Sequence, residues 1–263
     1  MNINDLHENH DLALIRADNP SPFTLDGTNT WIVGRNPAWV IDPGPLLDAH
    51  LDLVAQEVTR RGGAGAIVLT HDHADHAEGA SGLRQRLAGL PIAAARGDVD
   101  IRLSGGDRIG PFEVIATPGH AADHLSYVSG AIAFTGDTVL GHGSVFITPD
   151  PGALTDYLDG LGRLRELDLA WICPGHGPVV DDPAAKLDQY IAHRLDRELK
   201  LVSALARGLR LPEDLLDDVW ADAPVYLRAA AAVTLRAHLD KLDDEGRLPS
   251  GVVRPDLPSW LGH

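Results

Sequence analysis

The stretch THDHADH, residues 70–76, places three imidazoles and two carboxylates within six consecutive residues. It follows the apolar run Ala66–Leu69, which we predict to be a buried strand that ends at this loop. Imidazole nitrogens and carboxylate oxygens are the ligands that zinc and similar divalent ions take. The alternative is a polar surface loop, but ionisable side chains packed this densely would repel one another without a cation. The stretch therefore predicts a metal site.

Three further motifs offer ligand candidates, each at the end of a predicted strand. They are TPGH at 117–120, TGDT at 135–138 and PGHGP at 174–178. Glycine in each motif lets the backbone turn tightly where the chain leaves the core. Any one of these motifs alone is a weak signal. Together with the first cluster they offer seven ligands, enough for two neighbouring divalent ions.

The composition is that of a globular protein with an ordinary core. The 263 residues fit one large domain, or one domain with a small appendage. Cys173 is the only cysteine, so an internal disulfide is excluded. Residues 1–10 lack the basic start and apolar core of a secretory signal, and no apolar stretch is long enough to span a bilayer. We expect a cytoplasmic protein with no membrane partner.

The negative charge is unevenly distributed along the chain. Residues 1–182 carry 11 Arg and no Lys against 25 Asp and Glu, a net charge of −14. Residues 183–263 carry 11 Lys and Arg against 13 Asp and Glu, a net charge of −2. Because an acidic surface repels phosphates, a nucleic-acid partner is disfavoured, although the less acidic C-terminal third keeps that alternative open.

Short strands and helices follow one another without strict alternation, which favours an α+β fold with two sheets sandwiched between helices. The predicted helices are 46–61, 80–87 and 151–167, and the predicted strands are 12–16, 30–33, 39–41, 66–69, 92–95, 108–109, 112–116, 125–128, 131–135 and 171–173.

The character of the chain changes after Asp182. Helical patterns cover 184–207, 213–220 and 226–242, and residues 248–253 resemble a turn with a strand-like arm. Three helices and an arm are the outline of a small winged-helix module. We therefore predict a catalytic domain over 1–182 and a winged-helix domain over 183–263.

The ordered motifs THDHADH, PGH, TGDT and PGHGP resemble those of the metallo-β-lactamase superfamily of hydrolases. The resemblance spans residues 71–176 and implies a four-layer αββα sandwich. The segments 19–31 and 40–45 are similar to the lactamase-beta-like subfamily, whose animal members are endoribonucleases with a winged-helix tail.

Two metal sites that share one carboxylate are implied by this resemblance. The implied ligands are His71, His73 and His120 for the first metal, Asp75, His76 and His176 for the second, and Asp137 between them. Ions held this way lower the pKa of a bridging water, so hydroxide can attack a carbonyl carbon or a phosphorus near neutral pH. Asp75 and Asp137 are the expected catalytic residues, since Asp75 can also accept the water proton. Zinc is the expected metal, and iron or manganese fit the same ligands.

Five residues are expected to support the ligands or to contact substrate. Asp42 and Thr70, at strand ends, can orient imidazoles by hydrogen bonds, with turn capping as the alternative. His124 is expected to support its loop or contact substrate rather than bind metal. His142 can line the cleft and His193 can reach it from the tail, and an ordinary surface position is the alternative for both.

The expected substrate is a small ester, thioester, lactone or lactam. Cleavage of single-stranded RNA is the second hypothesis, because of the subfamily resemblance. A DNA-binding regulator that uses the winged helix and keeps the sandwich as a metal-binding sensor is the third. The sequence leaves the oligomeric state open, with a homodimer as one alternative.

Overall fold

The computed structural model describes residues 11–258, so the N-terminal stretch that we predict not to be a signal peptide lies outside the described residues. Within the described residues, eleven strands form two sheets. The first sheet contains β1 (Leu12–Arg16), β2 (Asn29–Val33), β3 (Ala38–Ile41), β4 (Ala64–Val68), β5 (Ile92–Ala94) and β6 (Ile101–Arg102). The second contains β7 (Arg108–Ile109), β8 (Phe112–Ala116), β9 (Leu125–Ser129), β10 (Ile132–Gly136) and β11 (Trp171–Pro174).

Both sheets are mixed, and their strands are ordered as they occur in the chain. In the first sheet β1–β3 are antiparallel and β3–β6 are parallel, while in the second only β10 and β11 pair in parallel. Strand β6 is a two-residue edge strand that was not predicted from the sequence. Two exposed residues are too few to show the alternation of apolar and polar side chains that identifies a strand.

Helices cover the outer faces of the two sheets and form the C-terminal part of the described chain. They are α1 (Asp48–Arg60), α2 (Ala74–Ala77), α3 (Gly79–Arg86), α4 (Ala153–Arg165), α5 (Pro183–Ala206), α6 (Pro212–Val219) and α7 (Arg228–Asp244). Helix α2 begins inside the THDHADH stretch, where the sequence analysis expected a loop. Helices α1 and α3 pack on the first sheet, whereas α4 and α5 pack on the second. The layers are therefore helix, sheet, sheet and helix, as expected.

The main core lies between the two sheets, and strand alternation explains it. Trp31 and Ile41 face the opposite sheet, where they join Phe134, while Ile32 and Val40 point outward under α1. Trp31 packs edge-on against Phe134 with ring centroids 5.9 Å apart. This dry interior holds the ends of the strands in a fixed register.

All four ligand motifs follow the carboxyl ends of strands: β4, β8, β10 and β11. Parallel strands bring their carboxyl ends to one edge, where binding sites form in α/β sheets. Main-chain hydrogen bonds join the two sheets at this edge, from Leu125 N to Thr70 O at 2.7 Å and from Asn29 N to Gly175 O at 2.8 Å. The fold therefore places the motifs side by side.

The C-terminal helices have a core of their own and also pack on the sandwich. Leu201, Leu215 and Leu235 belong to the core that the C-terminal helices form among themselves. Leu187 and Tyr190 instead join the core beneath α4. No strand occurs in 245–258, the part of the tail described after α7, so the winged helix stays a prediction, as does the domain boundary at residue 182. Within residues 11–258, no helix has the length and apolar character needed to cross a membrane.

Candidate metal centre

Three histidines from two motifs form the first group of ligand atoms. The Nδ1 atom of His73 lies 2.9 Å from His71 Nε2 and 3.0 Å from His120 Nε2. His73 stands just before α2 in extended backbone, and His71 and His120 are almost fully buried. Three imidazole nitrogens that converge in this way are suited to bind one divalent ion.

A second group combines the THDHADH stretch with the PGHGP motif. His76 Nε2 lies 3.2 Å from His176 Nε2, although 100 residues separate the two positions. Asp75 Oδ2 lies 3.2 Å from His176 Nε2 and 3.5 Å from His76 Nε2. Two nitrogens and one carboxylate oxygen thus meet at a second point.

Asp137 stands between the two groups, with one oxygen toward each. Its Oδ2 lies 3.6 Å from His120 Nε2, while its Oδ1 lies 3.4 Å from both His76 Nε2 and His176 Nε2. Oδ1 is buried, and among residues 11–258 no donor forms a hydrogen bond of normal geometry with it. A buried carboxylate oxygen without a donor is costly unless a cation compensates it.

The hydrogen bonds on the far side of each imidazole determine which nitrogen carries a proton. Carbonyl oxygens only accept, so His120 Nδ1 donates to Phe146 O at 3.2 Å, and His176 Nδ1 donates to Gly27 O at 3.2 Å. His76 Nδ1 donates to the Asp42 carboxylate at 2.9 Å. In the neutral form of each ring, Nε2 therefore presents a lone pair to the centre.

His71 has the same orientation through a relay. Thr70 Oγ1 donates to Asp42 Oδ2 at 2.7 Å, so it accepts from His71 Nδ1 at 3.0 Å and leaves His71 Nε2 without a proton. Lone pairs that face one another at about hydrogen-bond distance repel unless a proton or a metal ion lies between them. The donor set therefore fits two divalent ions.

Asp42 is the common support of both histidine groups. Its Oδ1 accepts from Thr70 N at 2.7 Å, and its Oδ2 accepts from Thr70 Oγ1 and His76 Nδ1. Asp42 has a φ of 49°, in the left-handed region, directly after β3. The structure thus brings two of the predicted supporting residues into contact with the ligands, one on each group.

His124 supports the loop that carries Asp137. Its Nε2 accepts from Asp137 N at 3.1 Å, and its ring stacks on His71 with centroids 4.8 Å apart. Two small residues make this packing close enough. A Cβ atom on Gly136 would lie 2.8 Å from His124 Nε2, and a Cβ atom on Gly175 would lie 2.7 Å from Asp137 Oδ1. Glycine is needed at both positions because of this close approach.

Burial and charge split the centre into two electrostatic halves. Burial lowers the pKa of His120 to about 4 and holds the pKa of His71 well below its ordinary value. Burial also lowers the pKa of His176, but Asp137 and Asp75 outweigh it and raise this pKa to about 9. His76 shifts in the same direction. Without metal, the first group is therefore neutral at pH 7, while the second holds protons among its carboxylates.

Two further candidates from the sequence are His142 and His193. His142 is exposed, and His193 is half-buried in the tail, where Arg197 Nε lies 3.5 Å from its Nε2. Neither contributes to the metal-ligand groups found among the described residues. The sequence analysis missed Phe146 and Gly27, which act through main-chain carbonyls. No side-chain pattern could have identified them.

Comparison with known proteins shows which proteins have sequences similar to this chain. A family model described as the metallo-beta-lactamase superfamily matches residues 95–176. The beta-lactamase-like protein 2 homolog of Caenorhabditis elegans is 32% identical over 254 residues, which cover 88% of this chain and 84% of that protein.

One further relative and one solved structure extend the comparison. The atrochrysone carboxyl ACP thioesterase of Aspergillus chevalieri is 35% identical over 206 residues, which cover 73% of this chain and 64% of that protein. The crystal structure of a beta-lactamase domain protein from Burkholderia ambifaria superposes with a TM-score of 0.77 at 22% identity, covering 92% of this chain and 90% of that one. This last similarity shows a shared fold.

Proposed function

Since this chain belongs to the metallo-beta-lactamase superfamily of hydrolases, we propose that it is a dinuclear metal-dependent hydrolase of small acyl substrates. One observation carries the proposal: the imidazole and carboxylate groups of seven residues converge from four strand ends into clusters that could hold a metal ion. Two neighbouring ions that share a carboxylate are typical of catalytic two-metal sites rather than of structural zinc sites.

Two ions would be held by ligands that the structure brings together. His71, His73 and His120 would hold the first ion, Asp75, His76 and His176 the second, and Asp137 both. When bound, such ions lower the pKa of a shared water and polarise a carbonyl. Zinc suits this mixture of nitrogen and oxygen ligands best, with iron and manganese as alternatives.

The chain's own residues orient the ligands and handle the proton. Asp42 and Thr70 fix two imidazoles in one tautomer, so these rings need no reorientation during turnover. The Asp75 side chain is 29% exposed, in contrast to Asp137 at 10%. Asp75 can therefore meet both the ligand cluster and solvent, which suits it to accept the proton of the attacking water.

Among small acyl substrates, a thioester is the first choice. A thioesterase is among the relatives that share more than 30% identity with this chain. The net charge of −16 argues against a polyanionic substrate such as RNA. Esters, lactones and lactams share the electrophilic carbonyl, so they remain alternative substrates.

The test is one substrate panel with zinc-loaded protein. It contains an acyl-glutathione thioester, an aryl ester, an acyl-homoserine lactone, a lactam reporter and a labelled single-stranded RNA. We expect turnover of the thioester, lowered by at least about a thousandfold in Asp137→Ala, since loss of a bridging ligand removes catalysis of that order. Asp48→Ala, an exposed carboxylate on α1, is the matched control.

Three outcomes would overturn the proposal. Thioester turnover at the native rate in Asp137→Ala would reject the mechanism. Cleavage of RNA alone, falling steeply with salt, would make the protein a nuclease. Binding of duplex DNA without turnover of any substrate would favour the regulator.

A further inference from the structure

The segment 140–147, here called the ligand-linking loop, runs from the bridging carboxylate toward α4 without forming a helix or strand. It contacts two other ligand motifs. Phe146 O accepts the His120 Nδ1 proton, and the Phe146 ring lies 4.7 Å from the His120 ring between centroids. Gly141 N donates to His176 O at 2.9 Å. The position of this loop therefore determines the orientation of the His120 imidazole.

Three side chains on one face of α5 bind this loop. Lys186, Tyr190 and Arg194 are spaced four residues apart, so they stack along the helix at one-turn intervals. Lys186 Nζ donates to Gly141 O at 3.1 Å. Tyr190 Oη donates to Gly143 O at 3.0 Å and accepts from the main chain of the loop's first residue at 3.1 Å.

Arg194 binds the next part of the loop. Its Nη2 donates to Ser144 Oγ at 3.1 Å and to Val145 O at 2.5 Å. Its guanidinium also stacks over Tyr157, 5.3 Å from the ring centroid, and Tyr157 Oη donates to Thr138 O, the residue after the bridging ligand. Helix α5 therefore binds residues 140–145 of the loop directly, and through Tyr157 on α4 it is linked to the residue after Asp137.

These contacts lie inside the protein. Arg194 is 2% exposed and Tyr190 is 4% exposed. An irregular loop must find partners for its buried main-chain groups outside a helix or sheet. Here the C-terminal helices supply them, with Thr234 on α7 accepting from Ile147 N at 3.3 Å. Neither the metal-ligand motifs nor the proposed chemistry requires such a contribution from the tail.

We propose that α5 is a positioning element of the metal centre: through the ligand-linking loop, Tyr190 and Arg194 set the orientation of His120 and thereby the affinity of the first metal site. The inference rests on the proposed metal centre and assigns a role to the C-terminal helices. We expect the second site to depend less on α5, because the loop's hydrogen bond to His176 ends at the main-chain oxygen of that residue. The hydrogen bond to His120, in contrast, ends at the imidazole itself.

The test measures binding of cobalt(II) alone, followed by visible absorption, because the d–d bands of cobalt report ligand geometry. Tyr190→Phe removes only the hydroxyl and keeps the packed ring. We expect one of two cobalt ions to bind about tenfold more weakly with a changed spectrum, the size of effect seen when groups that orient a metal ligand are removed. Tyr226→Phe, which alters a 68% exposed tyrosine, is the matched control.

Arg194→Ala provides a second, independent measurement. We expect the same change in the first site, with partial recovery of the native cobalt spectrum when guanidinium is added at non-denaturing concentration. If Arg194→Ala does not fold, Tyr190→Phe decides. Native cobalt affinities and spectra in Tyr190→Phe would overturn the inference, even if its melting temperature falls. Two cobalt ions bound by the wild type without hydrolysis of any substrate would count against the proposed function alone.

Discussion

At the scale of single residues, the orientation of each imidazole is the decisive property of the centre. Four histidines have a proton acceptor at Nδ1: a carboxylate, a hydroxyl or a main-chain carbonyl. Each acceptor selects the tautomer that leaves Nε2 free for a metal ion. The residue types were predictable from the sequence, whereas three of the four tautomers depend on acceptors at least 26 residues away in the chain.

Thr70→Val tests this relay with little change in side-chain volume. The variant leaves His71 Nδ1–H without an acceptor and removes one donor from Asp42. We expect zinc affinity to fall about tenfold and the free energy of unfolding to fall by about 1–3 kcal/mol. Competition with a chelator and thermal melting measure the two quantities.

Thr59→Val is the control for that substitution. Thr59 is exposed on α1, and its Oγ1 bonds only to the helix carbonyl of Ala55. This variant should keep native zinc affinity. If Thr70→Val also kept it, His71 would not depend on the relay.

At the scale of elements, strand ends and glycine turns bring the motifs within reach of one another. The chain leaves β11 at Pro174 and passes Gly175 directly against Asp137 and His76. The sequence motif predicted the turn correctly. The close approach of Gly175 to Asp137 and His76 was not predictable. It depends on the position of β10 and on His76, which lies 99 residues earlier in the chain.

Gly175→Ala should disrupt the centre while leaving the fold intact. The added Cβ atom would lie 2.7 Å from both Asp137 Oδ1 and His76 Cε1. We expect loss of one bound zinc ion and a fall in kcat/KM of about a hundredfold or more, since small displacements of catalytic groups have costs of that size. Elemental analysis and kinetics check the two expectations.

The matched control for this glycine is Gly162→Ala. Gly162 lies within α4 and has nothing within 4 Å of the added methyl group. Alanine should leave metal content unchanged and stabilise the helix by up to about 1 kcal/mol. A native zinc content in Gly175→Ala would contradict the close packing around Asp137.

At the scale of the whole molecule, we expect folding and metal binding to be coupled, because the candidate ligands come from motifs that only the folded chain brings together. Removing zinc with a chelator should lower the melting temperature. An ion present at about a thousand times its Kd stabilises the folded state by about 4 kcal/mol. An unchanged melting temperature after complete zinc removal would contradict this coupling.

The pH dependence of stability should differ between the two forms. In the metal-free protein the pKa of His176 is raised to about 9, above its ordinary value of 6.5, so its stabilising contribution is present below pH 6.5 and is lost as pH rises to 9. His120, with its pKa lowered to about 4, reduces stability as pH falls below 6.5. Metal-free protein should therefore be most stable near pH 6.5.

Zinc should abolish the alkaline half of that profile. Metal binding displaces the protons of the second group, so zinc affinity rises with pH and offsets the stability that the metal-free protein loses. The stability of the loaded protein should therefore stay nearly constant between pH 7 and pH 9. Melting curves with zinc and with chelator across this range provide the measurement. Parallel profiles for the two forms would contradict proton displacement.

The kinds of candidate ligand, their order along the chain and the layered α+β architecture were predictable from the sequence alone. These follow from residue chemistry, local spacing and hydrophobic period, which are properties of short segments. Only the tertiary structure decided which nitrogen of each imidazole faces the centre and that α5 binds the ligand-linking loop. Those features depend on contacts such as Arg194 with Val145 and His76 with His176, which join positions 49 and 100 residues apart, because folding sets distances that local sequence does not encode.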